Sequence, residues 1–212
     1  ISLNLNFSNF EEFIHSTFES LSDILGSNLF IAILTLISST KYGISDQEVL
    51  NIINQDSSLF SSHASSKFEF SFWTFIKLKL SPLISFNLVN GLLLYQFSSQ
   101  YVKELAKQYA QSKMKQFNVS LSLLLNYFTL NENENKSLQS RPDPMTNQWP
   151  NRRKAQELVY LLIQHSTQQV NYVNDYFLNL KWICFKLSKC DSYQLLEDIQ
   201  LFVISKLSKS YS

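Results

Sequence analysis

Leu83-Ile84-Ser85-Phe86-Asn87-Leu88-Val89-Asn90-Gly91-Leu92-Leu93-Leu94-Tyr95-Gln96-Phe97 decides the fold of this chain. Two apolar runs, Leu83 to Phe86 and Leu92 to Phe97, are separated by Asn87 to Gly91. The Asn90-Gly91 pair suits a tight turn between antiparallel strands, because both turn positions need a positive φ. Residues 83–97 therefore read as a β-hairpin in a chain whose other segments have helical periodicity.

Immediately upstream, Phe70 to Leu80 reads as a helix ended by Ser81-Pro82, since the residue before a proline avoids helical geometry. A Ser-rich stretch from Ser57 to Lys67 precedes it and reads as a mobile loop. Earlier still, Lys41-Tyr42-Gly43-Ile44-Ser45-Asp46-Gln47-Glu48 places Gly43 at a tight turn and spaces Ser45 and Glu48 as a capping box. A helix through Val49, Leu50, Ile52 and Ile53 is expected to start there. Asn28 to Ser39 forms a deeply buried helix, and Gly26 separates it from an amphipathic helix over 7–25. In that first helix Phe7, Phe10, Phe13, Ile14, Phe18, Leu21 and Leu25 recur every three or four positions.

Downstream, Ser98 or Ser99 can cap a helix running through Tyr109 to about Lys115. Three helices, a hairpin and a closing helix in that order form a winged-helix arrangement, with residues 83–97 as the wing. Val119 to Leu130 then reads as helix and 131–150 as a polar, Pro-containing linker. Short helices are expected at 152–165, 168–180, 181–189 and 192–208. The fold class is thus mainly α: a winged-helix domain with a small β-hairpin, followed by an α-hairpin (TPR-like) helical array.

Composition bounds the function. The 212 residues are 45% hydrophobic, enough to bury a core, and the formal net charge of +1 argues against the broad basic footprint of non-specific nucleic-acid binding. Residues 1–60 set seven acids against the single Lys41, leaving the remainder at +7. Asn and Ser are abundant throughout, as in AT-rich coding sequence, and lose weight as loop signals. No apolar run is long enough to span a membrane. Cys184 and Cys190 lack the spacing of a zinc site or a disulfide scaffold, which fits a reducing cytoplasmic setting. The chain opens on Ile1 rather than Met and reads as a piece of a longer product.

No catalytic constellation emerges. His15, His63 and His165 stand far apart, and there is no Gly-x4-Gly-Lys-Ser/Thr loop to cradle a triphosphate. Helix 70–80, where a DNA-binding winged helix carries its recognition helix, is apolar on most sides, with only Lys77 and Lys79 basic, and reads as buried. Asn151-Arg152-Arg153-Lys154 is a basic cluster for which two readings stand. Arg152, Arg153 and Lys154 could bind an acidic partner, such as the acidic N-terminal helices, or RNA. Alternatively, Asn151 caps a helix in which Arg153 and Glu157 pair at i and i+4. Trp182 and Lys186, one helical turn apart, read as a core anchor with its neighbour rather than as a ligand cage.

Phe10-Glu11-Glu12-Phe13, Leu21, Gly26, Ile33-Leu34-Thr35-Leu36-Ile37 and Lys41 to Leu50 stand in an order that resembles the post-NTPase region of one family. This is the NACHT and WD-repeat kind of signal-transduction (STAND) NTPase, with its nephrocystin and telomerase-associated relatives. Asn151-Arg152-Arg153-Lys154, Glu157 to Leu162 and Leu180 to Leu187 are similar to further signatures of that family.

The resemblance implies that residues 1–25 end an NTPase helical lid, 26–115 form its winged helix and 116–212 begin a helical arm leading to WD-type repeats. Gly43, Ser45, Glu48, Asn151, Glu157, Trp182 and Lys186 would be signature positions. ATP or ADP would belong to the parent protein, with no cofactor in this segment. Partners would be the intramolecular NTPase module and the C-terminal repeats. Relatives carry a phosphate-contacting His just after the wing; here Ser98 stands at that position, with Gln100 two places on. The implied function is a non-catalytic regulatory or scaffold segment, and the alternative is a stand-alone winged-helix adaptor for nucleic acid or protein.

Overall fold

The structure, a computed structural model, describes residues 7–60, 67–89, 91–129, 149–165 and 179–210. The helix expected at 168–180, most of the linker at 131–150, Asn90 and His63 lie outside the described residues. Contacts divide the chain into two compact units. One holds residues up to Ser38 together with Gly43–Leu123; the other holds Ser39–Tyr42 together with Leu124–Ser212.

In the first unit the order is α1 (Phe7–Leu25), α2 (Ser27–Ser39), α3 (Asp46–Ile53), α4 (Phe70–Leu80), β1 (Ile84–Val89), β2 (Leu92–Phe97) and α5 (Gln100–Ser112). The strands pair antiparallel, Phe86 opposite Tyr95 and Val89 opposite Leu92, so the connection is two residues long and Gly91 has φ 82. The first strand runs to Val89 rather than stopping at Phe86. Leu88 and Val89 are good strand formers, and with so short a turn the ladder extends to its limit.

Ile44 adds a rudimentary third strand. Its N–H donates to Tyr95 O at 2.9 Å, and the Tyr95 N–H donates back to Ile44 O at 2.8 Å. Gly43 is what allows this approach: φ is 95, and a Cβ there would lie 2.5 Å from the Tyr95 carbonyl oxygen. The expected capping box follows at once. The Ser45 N–H donates to Glu48 Oε2 at 2.9 Å, and the Glu48 N–H donates to Ser45 Oγ at 3.3 Å.

α1 packs within this unit. Phe18 packs against Phe30 of α2 and Tyr109 of α5, and Tyr101 of α5 donates to Glu11 at 3.1 Å. α2 is buried on every side from Leu29 onward, which explains its lack of charged residues. Between α3 and α4, Asn54 acts as a backbone surrogate: its amide donates to Phe68 O at 2.9 Å and accepts the Phe68 N–H at 2.8 Å. The start of the Ser-rich stretch, Ser57–Phe60, is a 3-10 turn.

α5 is capped by Ser99, whose Oγ accepts the Val102 N–H at 3.3 Å. It ends at Ser112, and after Lys113 the chain resumes helix as α6 (Met114–Thr129). The two compact units divide within α6, between Leu123 and Leu124.

The second unit continues with α7 (Trp149–His165), α8 (Leu180–Lys189) and α9 (Ser192–Ser210), which pack on one another. α7 begins three residues before the expected 152, with Pro150 in its first turn, where a missing N–H costs nothing. Asn151 is therefore inside the helix and not its cap. Among the described residues no helix is long and apolar enough to cross a membrane.

Candidate functional site: a buried charge network around the Ser39–Tyr42 connector

Among the described residues, Arg153, Glu157, Lys186 and Asp198 are buried charged side chains of the second unit. The segment Ser39–Tyr42 leads from the last residue of α2 toward α3, and the peptide N–H groups of Lys41 and Tyr42 in it belong to no helix or strand. Glu157 of α7 takes both of them. Its Oε2 accepts the Lys41 N–H at 2.7 Å and its Oε1 accepts the Tyr42 N–H at 3.1 Å. A carboxylate bridging consecutive amides makes charge-assisted bonds that fix the loop's conformation as well as its place.

Glu157 is fully buried, and so needs a counter-charge. Arg153, 3% exposed and one turn earlier, supplies it through Nη1 to Oε1 at 2.9 Å. The same guanidinium reaches Gln156 at 3.4 Å and lies 5.8 Å from the Phe128 ring centroid. The i,i+4 pairing is thus present, and Arg153 is not displayed for docking. Lys154 donates to the Thr129 carbonyl oxygen at 3.3 Å, close to the C-terminal end of α6 where a cation is favoured. Arg152 is half-buried. Because α7 starts at Trp149, Arg153 and Lys154 sit beyond its first turn and oppose the helix dipole less than the sequence suggests.

Lys41 extends the network to α9. Its Nζ lies 2.9 Å from Glu197 and 3.1 Å from Asp198, and Tyr42 donates its hydroxyl to Glu197 at 3.1 Å. Burial pulls the Lys41 ammonium down, but the hydrogen bond to Glu197 and the charge of Asp198 outweigh it and hold the group above its ordinary range. Burial pushes the Tyr42 phenol up to about 12. The hydrogen bond from Lys41 holds the Glu197 carboxyl below its usual range.

Lys186 of α8 is fully buried; it is paired with Asp198 and donates to the Ala155 carbonyl oxygen at 2.8 Å. Trp182, a turn before it, is buried against Phe185 with ring centroids 5.3 Å apart. No ligand cage forms between Trp182 and Lys186, because the ammonium is spent on Asp198 and α7. Lys41, Arg153 and Lys186 thus balance Glu157, Glu197 and Asp198. All these groups are matched to one another, which suits a structural lock.

Sequence reasoning singled out Arg153, Glu157, Trp182 and Lys186 but missed Lys41, Tyr42, Glu197 and Asp198. A signal existed: Lys41 is the sole basic residue of the first 60, and Glu197-Asp198 are the only acids of α9.

In the first unit, Gly43, Ser45 and Glu48 serve the turn and cap. Ser98 is exposed, and its N–H donates to Leu83 O at 2.9 Å, closing the base of the hairpin. A second missed cluster lies nearby. Asp46 accepts from Trp73 Nε1 at 2.6 Å and from Lys77 Nζ at 2.7 Å, and Lys77 also reaches the Tyr95 hydroxyl at 3.1 Å. α4 is less buried than expected: Trp73, Ile76 and Leu80 face inward while Phe70, Leu78 and Lys79 are exposed.

Among the described residues no group of His, Cys, Asp and Glu could hold a metal ion. Cys184 and Cys190 are free thiols. No protein-family model, curated protein or solved structure matches this chain.

Proposed function

We propose that this chain is a non-catalytic relay and scaffold segment of a cytoplasmic STAND-type NTPase of the NACHT and WD-repeat kind. Nucleotide would belong to an upstream module, and repeats would follow downstream. The observation that carries this reading is the capture of Ser39–Tyr42 by Glu157: a segment lying in sequence between α2 and α3 is fixed by the helical array. A displacement of either helix is therefore transmitted along the backbone to a rigid, ion-paired anchor, as rigid-body switches require.

The placement of the signature residues supports the same reading. Of the signature positions, Gly43, Ser45 and Glu48 serve a turn and a cap, Glu157 and Lys186 serve buried ion pairs, and Trp182 is buried against Phe185, so their roles are geometric. Leu196, Ile199 and Val203 form an exposed stripe on α9, the kind of face that stacking of further helices covers in a helical array. Lys77, the inner cation of α4, is tied to Asp46, which weighs against insertion of that helix in a DNA groove.

The isolated chain is expected to hydrolyse no nucleotide and to have no measurable ATP affinity. Turnover by the chain alone would overturn the proposal, as would a salt-dependent shift of duplex DNA, which favours the adaptor reading. In the complete reading frame a P-loop upstream and repeats of roughly 40–45 residues downstream are expected.

A further inference from the structure

β1 has one open edge, and the register states which groups occupy it. Tyr95 spends both its N–H and its carbonyl on Ile44, so neither faces β1. Its partner Phe86 is therefore in a non-hydrogen-bonded pair, and Ile84 and Leu88, two residues away on either side, share that state. The Ser98 N–H bond to Leu83 O sets the same phase from the other end. The main-chain N–H and C=O groups of Ile84, Phe86 and Leu88 consequently point outward, and among the described residues no hydrogen bond reaches them.

Nothing on this strand blunts the edge. Ile84–Val89 has no charge, proline or bulge, the usual protections against edge-to-edge pairing. Its Phe86 and Leu88 side chains are 67% and 73% exposed and lie on the same face of the hairpin as half-exposed Leu93.

We propose that β1 is a self-pairing edge, on which a second copy of this chain docks antiparallel, with Phe86 opposite its own symmetry mate. Three features select a second copy over a foreign peptide. A two-fold axis at Phe86 sets Ile84 against Leu88 of the other copy, and every outward N–H then meets an outward C=O with no group left over. The same register places apolar on apolar along the exposed face, aromatic against aromatic at the centre. An uncharged strand neither repels its copy nor carries a charge that would select and orient another sequence. Pro82, lacking an N–H, ends the ladder at both ends by symmetry.

The test is sedimentation of the full chain over a range of concentrations. The wild type is expected to double in mass as concentration rises. Phe86→Lys and Phe86→Glu should each remain monomeric, because like charges meet on the axis, while an equimolar mixture of the two should recover the dimer mass. A wild type that stays monomeric throughout overturns the proposal, as does a dimer that either variant leaves intact. Should the variants fail to fold, wild-type hydrogen exchange decides. The Ile84, Phe86 and Leu88 amides should gain protection with concentration, whereas those of Ser85, Asn87 and Val89, bonded within the hairpin, should not; concentration-independent exchange at all six excludes the pairing.

Discussion

Glu157 accepts the main-chain N–H of Lys41 at 2.7 Å across 116 residues of sequence. The bond matters because its acceptor is buried and charged while its donor belongs to a connector with no secondary structure of its own. Replacing Glu157 with Gln keeps the shape but removes the counter-charge of buried Arg153 and one of two acceptor oxygens. The expected loss is about 3–5 kcal/mol, the range for breaking one member of a buried pair. Urea denaturation checks the magnitude, and hydrogen exchange at Lys41 and Tyr42 checks the location; unchanged exchange there would show that Glu157 does not anchor the connector.

Lys186 and Asp198 form a pair that is buried on both sides. Asp198→Asn should cost about 3–5 kcal/mol, because it strands an ammonium in the interior. The double change Lys186→Met with Asp198→Leu should recover much of that loss, since an apolar pair of similar volume needs no desolvation. Recovery will be incomplete if Lys41, which also leans on Asp198, loses its partner. Including Lys41→Met in a double-mutant cycle measures that coupling directly.

These networks mark the limit of what the sequence could reveal. Local chemistry was legible: Ser45 and Glu48 announced a capping box, Gly91 a hairpin, and the spacing from Phe7 to Leu25 an amphipathic helix, because each rests on neighbours in the chain. The Lys41–Glu157 and Lys41–Asp198 contacts rest on long-range closure, which no periodicity encodes. Asn54 was passed over for another reason: in a chain this rich in Asn, one more polar residue near a Ser-rich stretch looked like loop, not a side chain mimicking backbone against Phe68. The start of α7 is hidden in the sequence because Pro150 reads as linker, whereas proline is tolerated in a first turn.

Gly43→Ala should destabilise the first unit by about 1–3 kcal/mol, from a strained positive φ alone. The added Cβ also meets Tyr95 main chain, which cannot swing aside as a side chain could. Repair would require breaking the Ile44–Tyr95 bridge. Loss of slow exchange at the Ile44 and Tyr95 amides, with the capping box at Ser45 retained, would locate the damage at the third strand.

Alkaline titration should loosen the connector before the rest of the fold. Tyr42 binds its proton more tightly folded than unfolded, from 10.0 to about 12, chiefly because burial disfavours the phenolate. Lys41 is likewise raised: burial opposes its charge, but Glu197 and Asp198 more than offset that. Between the unfolded and folded values the native state holds more protons, so stability is fully present below about pH 10 and declines as pH rises through the folded values. On the acid side Glu197, lowered by the hydrogen bond from Lys41, contributes stability that is lost as pH falls through its folded value. Tyr42→Phe removes the phenol and should flatten the alkaline decline; it also takes one hydrogen bond from Glu197, so the acid decline should shrink while the part due to Lys41 remains. Urea midpoints measured across pH for both proteins test this; an identical alkaline slope in Tyr42→Phe would assign the effect to Lys41 alone.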